Sequence, residues 1–516
     1  VGFRFFFLGA LINPLDSLLA GVKKVNEGDL EVEVPVKVDD EIGFLSRSFN
    51  SMVSSIRDSK EKLEDYAETL EIKVEERTQE LKNTLDEVQA LKQQQDGDYF
   101  LTSLLLKPLG TNKTKSKNVH LEFYTKQKKQ FEFRNRHEEI GGDISAAQNI
   151  ILKEKNYIAF VNADAMGKSI QGAGGALVLG AVFESIIERT RITHQAQDTH
   201  PERWIKNTFI ELHKIFESFN GSMLISLVIG LVDEETGLMY YLNAEHPWTV
   251  LYRDKKAEFI ESELLFRKLG THGMEGEISI RTFQLEAGDV IYIGSDGRDD
   301  LLLGTDENGE RIINENETLF LKNIETSNGD LQQTVEEIKK AGEITDDFSL
   351  IRLSYKENIE PTDSVSSSEE VLEKIKSLTE SGAIISELKL ALKENTYQPE
   401  LLRAIIKAYI DQKEYKDAIS YIEDFIFIQP GDTEMLFVAS YCYRKAGLHS
   451  KSVDYGERVR LRDPEKIKNL VHLAETYSII KQYTRAEKIL ESALAKDPLN
   501  ARGLKLKEIL KEKASI

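Results

Sequence analysis

Residues 162–180 read NADAMGKSIQGAGGALVLG, a glycine-rich stretch that directly follows an apolar, strand-like run. Its Gly-Lys-Ser at 167–169 is typical of phosphate-binding loops, but such a loop needs Gly-x-x-x-x-Gly-Lys-Ser/Thr so that successive N–H groups can surround the phosphate. Asn162 stands where the first glycine is required, which disfavours a nucleotide site. Because glycine costs roughly 1 kcal/mol in a helix interior, the later glycines indicate a helix with a thin, closely packed face. Asp164, at the end of the strand-like run, is then the residue of chemical interest.

The segments around this stretch predict an α+β domain of mainly antiparallel sheets over residues 98–356. Neighbouring strand-like runs are joined by short loops, which favours antiparallel pairing with helices packed outside the sheets. Such a sandwich is not a doubly wound nucleotide-binding fold. The strand-like runs are 156–163, 222–233, 237–244, 248–252, 278–285, 289–295 and 348–353, and helical patterns lie near 169–190, 201–218 and 329–341.

Aspartates stand at the ends of four strand-like segments. Asp143 opens one segment, Asp164 closes the next, Asp296 follows another, and Asp346 and Asp347 precede the last. A single aspartate at a strand end is usually a turn former or helix cap, but four on neighbouring strands would converge on one rim of the sandwich. Clustered carboxylates repel one another unless a hard cation neutralises them, and oxygen ligands suit Mg²⁺ or Mn²⁺. Two such ions can hold a phosphoryl group and activate a water for in-line attack.

Five short motifs occur in an order and spacing that resembles the SpoIIE/RsbU-type phosphatases, the bacterial PP2C-like (PPM) serine/threonine phosphatases. The resemblance implies a phosphatase with two divalent metal ions, Mn²⁺ or Mg²⁺. It also implies a phosphoserine or phosphothreonine substrate, usually on an anti-sigma-factor antagonist. The motifs are EIGGD (139–143), DAMGKS (164–169) followed by a small-residue helix, NAEHP (243–247), SDG (295–297) and DDFSL (346–350).

The same resemblance implies roles for individual residues. Asp164 would bridge the two metals, and Asp143 would hold the first metal directly or through its waters. Asp164 and Asp296 are therefore the expected catalytic residues. The implied metal ligands are Asp143, Asp164, Ala165 (through its carbonyl), Asp296, and Asp346 or the adjacent Asp347.

Three positions depart from the family pattern. Ala165 stands where glycine or another small residue is common, which a carbonyl ligand tolerates. Glu245 replaces the glycine usual in NAGHP, and Arg298 follows SDG where a small or apolar residue is common. The last two changes leave the metal residues in place and alter the surroundings in which a substrate would bind.

Four basic side chains near the motifs each have two interpretations. Arg134 and Arg136 could contact a substrate phosphate, or they are solvated arginines on a strand. His137 and His246 could act as acid catalysts, or they are surface and structural residues. The residue pattern leaves both alternatives open.

The N-terminal 97 residues predict a signalling input. Residues 1–12 are apolar but shorter than the roughly 20 residues that span a bilayer, so we interpret them as the end of a truncated transmembrane helix. Residues 13–56, with Pro14, GDL, DDEIG and FNSM, resemble a HAMP domain. Residues 57–97 have heptad-like leucines and predict a coiled coil. These features imply a homodimer through HAMP and coiled coil at the bacterial inner membrane, with the remaining domains facing the cytoplasm.

The C-terminal part repeats with a period of 34 residues, which is typical of tetratricopeptide (TPR) repeats. We expect an all-α TPR solenoid over 373–516 that binds an unidentified protein. An acidic, serine-rich linker over 357–372 would precede it. The repeating positions are Pro430, Pro464 and Pro498; Tyr409, Tyr443 and Tyr477; and Ala418, Ser452 and Ala486.

The net charge and the cysteine count exclude several classes of function. The net charge of −21 argues against a nucleic-acid partner, because no net positive field attracts phosphates. The single cysteine, Cys442, excludes an internal disulfide and a cysteine-rich zinc site. We therefore expect a membrane-associated signalling phosphatase, switched by repacking of an apolar helix at 98–110. The alternative is a catalytically weak pseudo-phosphatase that acts as a dimeric scaffold.

Overall fold

The computed structural model divides the chain into two compact units, Val1–Gln95 and Asp96–Ile516. It describes residues 4, 7–273, 278–306, 309–357, 371–373, 375, 381–394 and 398–514.

The first unit contains two helices joined by an extended connector. A π-helical turn, Leu8–Ile12, leads into helix α1 (Asn13–Asn26), and helix α2 begins at Glu41 and ends at Leu106. The connector forms no strand. Asn50 holds it to α2, because its side chain accepts a hydrogen bond from the backbone N–H of Val34 and donates one to the carbonyl of Val34, both at 2.9 Å.

Helix α2 is continuous over 66 residues (Glu41–Leu106), so the segment 98–106 belongs to this helix and is not a separate junction helix. The leucines and valine of the heptad-like stripe lie exposed on the single chain, which leaves them available to a second helix. They are Leu63, Leu70, Leu81, Leu85, Val88 and Leu91.

The second unit is built around two five-stranded antiparallel sheets. In the first sheet the strand order is β10-β7-β6-β5-β4, and in the second it is β1-β15-β11-β8-β9. The strands are β1 (Val119–Lys126), β2 (Lys129–Phe133), β3 (Arg136–Ile140), β4 (Asp143–Leu152), β5 (Lys155–Ala165), β6 (Ile225–Asp233), β7 (Leu238–Ala244), β8 (Val250–Arg253), β9 (Lys256–Phe259), β10 (Arg281–Gln284), β11 (Val290–Gly294), β12 (Leu301–Thr305), β13 (Arg311–Ile313), β14 (Glu343–Ile344) and β15 (Phe348–Tyr355).

Helices cover the outer face of each sheet and complete four layers. On β5 the side chains alternate: Ala159 and Val161 pack against the helices, whereas Ile158 and Phe160 pack against the second sheet. This alternation is the period-two pattern of a strand that is buried on both faces. The first sheet is covered by α3 (Ile170–Ile192) and α4 (Pro201–Glu217), and the second by α5 (Thr318–Thr326) and α6 (Leu331–Ala341). The predicted antiparallel α+β sandwich is confirmed.

The glycine-rich helix α3 packs closely against the strands, as its sequence predicts. A Cβ at Gly175 would lie 2.7 Å from the Cβ of Ala165, and one at Gly180 would lie 2.8 Å from Cδ1 of Ile144. Among the described helices, α3 alone is long and apolar enough to cross a membrane. Half of its most apolar 18-residue segment is buried in the protein.

The C-terminal helices form antiparallel pairs consistent with TPR-like repeats. Helices α8, α10, α12 and α14 begin 34 residues apart, matching the sequence period. Gly456 lies where two helices pack closely, because a Cβ at this position would lie 2.9 Å from Cδ1 of Leu473. Most of the expected linker at 357–372 lies outside the described residues. The helices are α7 (Ser381–Glu394), α8 (Pro399–Asp411), α9 (Tyr415–Ile428), α10 (Thr433–Lys445), α11 (His449–Arg462), α12 (Ile467–Ile479), α13 (Tyr483–Lys496) and α14 (Ala501–Ala514).

Candidate active site

The strand-end aspartates come together at one end of the sandwich. Asp143 is the first residue of β4 and stands directly opposite Asp164 of β5 in the antiparallel register. Asp296 follows β11, and Asp346 and Asp347 precede β15, which is the hydrogen-bonded neighbour of β11. The two sheets therefore each contribute carboxylates to the same rim.

Asp143 is buried, and only one of its two carboxylate oxygens accepts a hydrogen bond from the described residues. Its Oδ2 accepts a hydrogen bond from Oγ of Ser295 at 2.5 Å, and its carbonyl accepts one from Nε2 of Gln127 at 2.8 Å. Its Oδ1 is buried without a hydrogen-bond partner in the described chain. A buried carboxylate oxygen without a donor is costly, so this atom is suited to a cation.

The carboxylates raise one another's pKa. Burial and then the charge of Asp164 raise the pKa of Asp143, and burial and then the charge of Asp296 raise the pKa of Asp164. Burial, followed by the charges of Asp300 and Asp346, raises the pKa of Asp296 to about 6. A buried, mutually repelling carboxylate cluster favours either bound protons or a bound cation.

The carbonyl of Ala165 lies in a recess formed by two glycines. A Cβ at Gly142 would lie 2.4 Å from this oxygen, and one at Gly172 would lie 3.1 Å from it. The backbone N–H of Ala165 donates to the carbonyl of Gly142 at 3.1 Å, which fixes the peptide orientation. The thin face of α3 thus keeps the Ala165 carbonyl clear of side chains.

Asp346 and Asp347 have different environments. Both carboxylate oxygens of Asp347 accept backbone hydrogen bonds, Oδ1 from Lys128 at 2.7 Å and Oδ2 from Gly142 at 2.8 Å. Asp346 is exposed, and its charge raises the pKa of both Asp164 and Asp296. The charge of Asp347 likewise raises the pKa of Asp143 and Asp164. The two residues differ in their hydrogen bonds: Asp347 anchors the segment that leads into Asp143, whereas Oδ1 of Asp346 accepts only from the neighbouring N–H of Asp347, at 2.9 Å, among the described residues.

These residues fit a divalent metal in charge and ligand type. Among the described residues, no three His, Cys, Asp or Glu side chains are already gathered at metal-binding geometry. The fit therefore rests on the orphaned oxygen of Asp143, the mutual repulsion of the carboxylates and the glycine recess around Ala165, and not on ready-made coordination.

A buried polar network that the sequence did not reveal lies behind the aspartates. Asn162 donates from Nδ2 to Oγ of Ser145 at 2.8 Å and to Oγ of Ser349 at 2.9 Å. Its Oδ1 contacts Nε2 of His246 at 2.8 Å, and Nδ1 of His246 contacts Oγ of Ser226 at 3.0 Å. Burial, with the charges of Arg298 and Lys268, lowers the pKa of His246 to about 3. His246 is therefore neutral near pH 7 and supports the strands as a structural residue.

Two of the three departures from the family pattern, Glu245 and Arg298, occupy different environments. Glu245 has a left-handed backbone (φ 51°), which explains why glycine suits this position. Its Oε2 lies 3.2 Å from Nε of Arg267. Arg298 is 1% exposed, pairs with Asp299 at 3.0 Å and donates to the carbonyl of Trp248 at 2.8 Å. Arg298 is thus part of the core and not a substrate contact.

The structure does not bring Arg134, Arg136 and His137 to the aspartates. Arg134 lies in the turn between β2 and β3, where it stacks on Phe133 at 5.2 Å, and Arg136 and His137 are exposed at the start of β3. Ile140 lies four residues after Arg136 on β3, which corresponds to about 13 Å at the usual rise of a strand.

The same hairpin contacts the end of helix α2. Tyr99 packs edge-on against Phe131 with ring centroids 5.6 Å apart, and Phe100 stacks on Phe133 at 5.1 Å. Tyr99 and Phe131 belong to one buried cluster with Ile140 and Ala173. Since Ile140 lies three residues before Asp143 and Ala173 lies in α3, this cluster joins α2 to both walls of the candidate site.

Comparisons with known proteins place two domains in the chain. Residues 154–356 match the family model described as Stage II sporulation protein E (SpoIIE), and residues 6–58 match the HAMP domain model. A 69-residue segment is 33% identical to the methyl-accepting chemotaxis protein McpA of Bacillus subtilis and covers 13% of this chain and 10% of that protein. A 52-residue segment is 42% identical to a probable methyl-accepting chemotaxis protein of Bacillus thuringiensis and covers 10% of this chain and 8% of that protein. The chain thus spans a small part of these relatives.

Solved structures with a similar fold include two phosphatase domains. The PP2C phosphatase domain of SpoIIE from Bacillus subtilis, with a fragment of its regulatory domain, is 16% identical with a TM-score of 0.34, covering 47% of this chain and 64% of that one. The SiaA-PP2C domain of Pseudomonas aeruginosa is 16% identical, with a TM-score of 0.36. The match covers 50% of this chain and 95% of that one. The two family models thus match residues 6–58 to HAMP domains and residues 154–356 to the SpoIIE family, which supports a phosphatase in signalling.

Proposed function

We propose that this protein is a metal-dependent serine/threonine phosphatase in bacterial signalling. The observation that carries the proposal is the buried carboxylate cluster of Asp143, Asp164 and Asp296 at one end of the sandwich, to which the exposed Asp346 adds a further negative charge. Asp143, Asp164, the Ala165 carbonyl, Asp296 and Asp346 would hold two Mn²⁺ or Mg²⁺ ions. Asp347 takes the anchoring role described above.

The chain's own residues supply positioning and charge. When bound, the ions would lower the pKa of a water and neutralise the phosphoryl oxygens. Lys268 places a positive charge close enough to lower the pKa of Asp164 and Asp296, so it would attract a phosphoryl group to the same place. Ser295 fixes the carboxylate of Asp143, which keeps the orphaned Oδ1 directed to the metals.

The substrate we propose is a phosphoserine or phosphothreonine on a protein of the anti-sigma-factor antagonist type. The HAMP match supports a location at the bacterial inner membrane with the phosphatase in the cytoplasm. It also supports a homodimer, in which the exposed stripe of α2 would pair with a second copy. The TPR-like helices would bind a further protein.

The test of this proposal is phosphate release from a phosphoserine peptide and from p-nitrophenyl phosphate by the full chain. We expect turnover of both with Mn²⁺ or Mg²⁺ and at least ~100-fold slower turnover after treatment with EDTA, because the attacking water then has no activating cation. Adding the metal back should restore the rate. If neither substrate is hydrolysed with either metal, while calorimetry still detects metal binding, the scaffold alternative replaces the enzyme.

Regulation through α2 is a second part of the proposal, and it predicts a change in rate without a matching change in stability. Leu104 and Leu105 are 44% and 60% exposed, whereas Tyr99 and Phe100 on the same helix pack on the hairpin next to the site. If a second copy covers the leucines, Leu104→Gln with Leu105→Gln shifts the population of helix packings. We expect a change of about threefold or more in basal rate, with the melting temperature nearly unchanged.

A matched control is Leu303→Gln, an exposed leucine (47%) on β12. This change should alter neither the rate nor the melting temperature. A rate that falls only in proportion to the folded fraction, measured by near-UV circular dichroism, would mean that α2 stabilises the domain without switching it.

A further inference from the structure

A wide cleft of about 1330 Å³ lies between the phosphatase domain and the TPR-like helices. One wall is helix α4, with the segment around Arg267 beside it, and the other wall is formed by helices α11 and α13. The TPR-like helices thus contribute the second helix of two pairs, α11 and α13, together with Tyr477 of α12. The site therefore exists only in a chain that carries both domains.

The two walls are held together by buried contacts. Glu202 of α4, 0% exposed, pairs with Nη2 of Arg462 at 2.6 Å and with Nε of Arg458 at 3.3 Å. The backbone N–H of Ile280 donates to the carbonyl of Leu461 at 2.7 Å. Because charges buried in this way tolerate little displacement, the cleft is a preformed surface.

The cleft is basic, although the chain carries a net charge of −21. Eight lysine and arginine side chains line it, against three carboxylates. Three of the eight are ion-paired, Arg458 with Glu202, Arg267 with Glu245 and Arg460 with Glu457, so the excess positive charge comes from the remaining five. Lys214 on the phosphatase wall and Lys488 on the helical wall are both exposed. Such a concentration of one charge sign attracts a partner segment of the opposite sign and raises its rate of association.

The cleft leads to the carboxylate cluster through two consecutive residues. Arg267 lines the cleft and contacts Glu245 of the NAEHP motif at 3.2 Å. The positive charge of its neighbour Lys268 partly offsets the rise in the pKa of Asp164 and Asp296. A chain that lies in the cleft can therefore present a residue near the candidate active site.

We propose that this cleft binds an acidic segment of the phosphoprotein substrate, close in sequence to the phosphorylated residue. The proposal rests on the phosphatase function proposed above. It assigns to the TPR-like helices a share in substrate selection, through their contact with α4. Apolar residues in the cleft, among them Phe266, Val453 and Ile489, would bury the nonpolar side chains of the segment.

The experiment compares two phosphoserine 12-mer peptides, one flanked by glutamates and one by glutamines, with the full chain. We expect kcat/KM for the glutamate peptide to be about tenfold higher, and the double variant Lys214→Glu/Lys488→Glu to remove that advantage, since like charges then face each other. Turnover of p-nitrophenyl phosphate should stay within about twofold, because it does not reach the cleft. Increasing NaCl should reduce the glutamate advantage as screening increases.

Binding is measured separately by fluorescence anisotropy of a fluorescein-labelled glutamate peptide without phosphate. Lys468→Glu is the matched control, because Lys468 is an exposed lysine on α12 that does not line the cleft. Equal binding of glutamate and glutamine peptides, or an equal loss with Lys468→Glu, would overturn the proposal. Tight glutamate-selective binding without hydrolysis of any phosphate ester would instead leave the docking site standing and refute the phosphatase function.

Discussion

Replacing Asp164 by asparagine is expected to lower Mn²⁺-dependent phosphate release by more than ~100-fold, because the bridging position would lose its charge. Asp164 stands opposite Asp143 in the register, and burial and the charge of Asp296 raise its pKa. Asparagine has nearly the same shape but no charge. We therefore expect the variant to fold and, in EDTA, to melt at the same or a higher temperature than the wild type.

The measurement is the initial rate against Mn²⁺ concentration, together with calorimetric melting in EDTA. Asp296→Asn should behave in the same way, since its pKa is raised by burial and neighbouring carboxylates. Asp254→Asn is the control: Asp254 lies in a turn with φ 50°, a conformation that asparagine tolerates, so rate and melting should not change. Equal rates in all of these proteins would refute the assigned metal site.

The sequence located the carboxylate rim because each aspartate lies in a short local motif at a strand end. The network behind that rim could not be predicted in the same way. Asn162, Ser349 and His246 come together because β5 pairs with β6 and packs against β15. Their contacts depend on register and sheet packing, which spacing along the chain does not encode. The different environments of Asp346 and Asp347 could not be predicted either, because they depend on the hydrogen bonds that Asp347 accepts from the backbone N–H groups of Lys128 and Gly142.

The fold was predictable where strands are apolar and less so where they carry polar residues. For strand β4 (Asp143–Leu152) the sequence predicted the start at Asp143 but not the extent, because Ser145, Gln148 and Asn149 interrupt its apolar pattern. The structure buries Ser145 and Gln148 and supplies partners: Ser145 accepts a hydrogen bond from Asn162, and Gln148 donates one to Glu184. Tertiary hydrogen bonds therefore overrode the local pattern.

The contacts between the phosphatase domain and the TPR-like helices could not be predicted from the sequence either. Glu202 lies in the first turn of α4, where an acidic residue normally interacts with the helix dipole at the surface. Its partner Arg458 is 256 residues away along the chain. Burial would raise the pKa of Glu202, but Arg462 and Arg458 outweigh burial and lower it to about 2.

Glu202→Ala is expected to lower the free energy of unfolding by about 3–5 kcal/mol, because it leaves two arginines buried without their counter-charge. Arg462 would retain neutral contacts, with the hydroxyl and the ring of Tyr240 and with the carbonyl of Pro430. Urea unfolding of the full chain at pH 7 measures the change. The contribution of Glu202 is fully present above the unfolded pKa of 4.5 and is lost as the pH falls towards 2. The deficit should therefore be constant from pH 6 to 8.

Glu211→Ala provides the matched control on the same helix, because Glu211 forms a bidentate pair with Arg189 at the surface. Exposed pairs contribute about 0–1 kcal/mol, so this variant should unfold almost like the wild type. Glu202→Gln separates charge from volume: it fills the same space but cannot neutralise Arg458 and Arg462, and we expect it to be nearly as unstable as Glu202→Ala. If the glutamine variant matched the wild type, packing and not charge would join the repeats to the phosphatase domain.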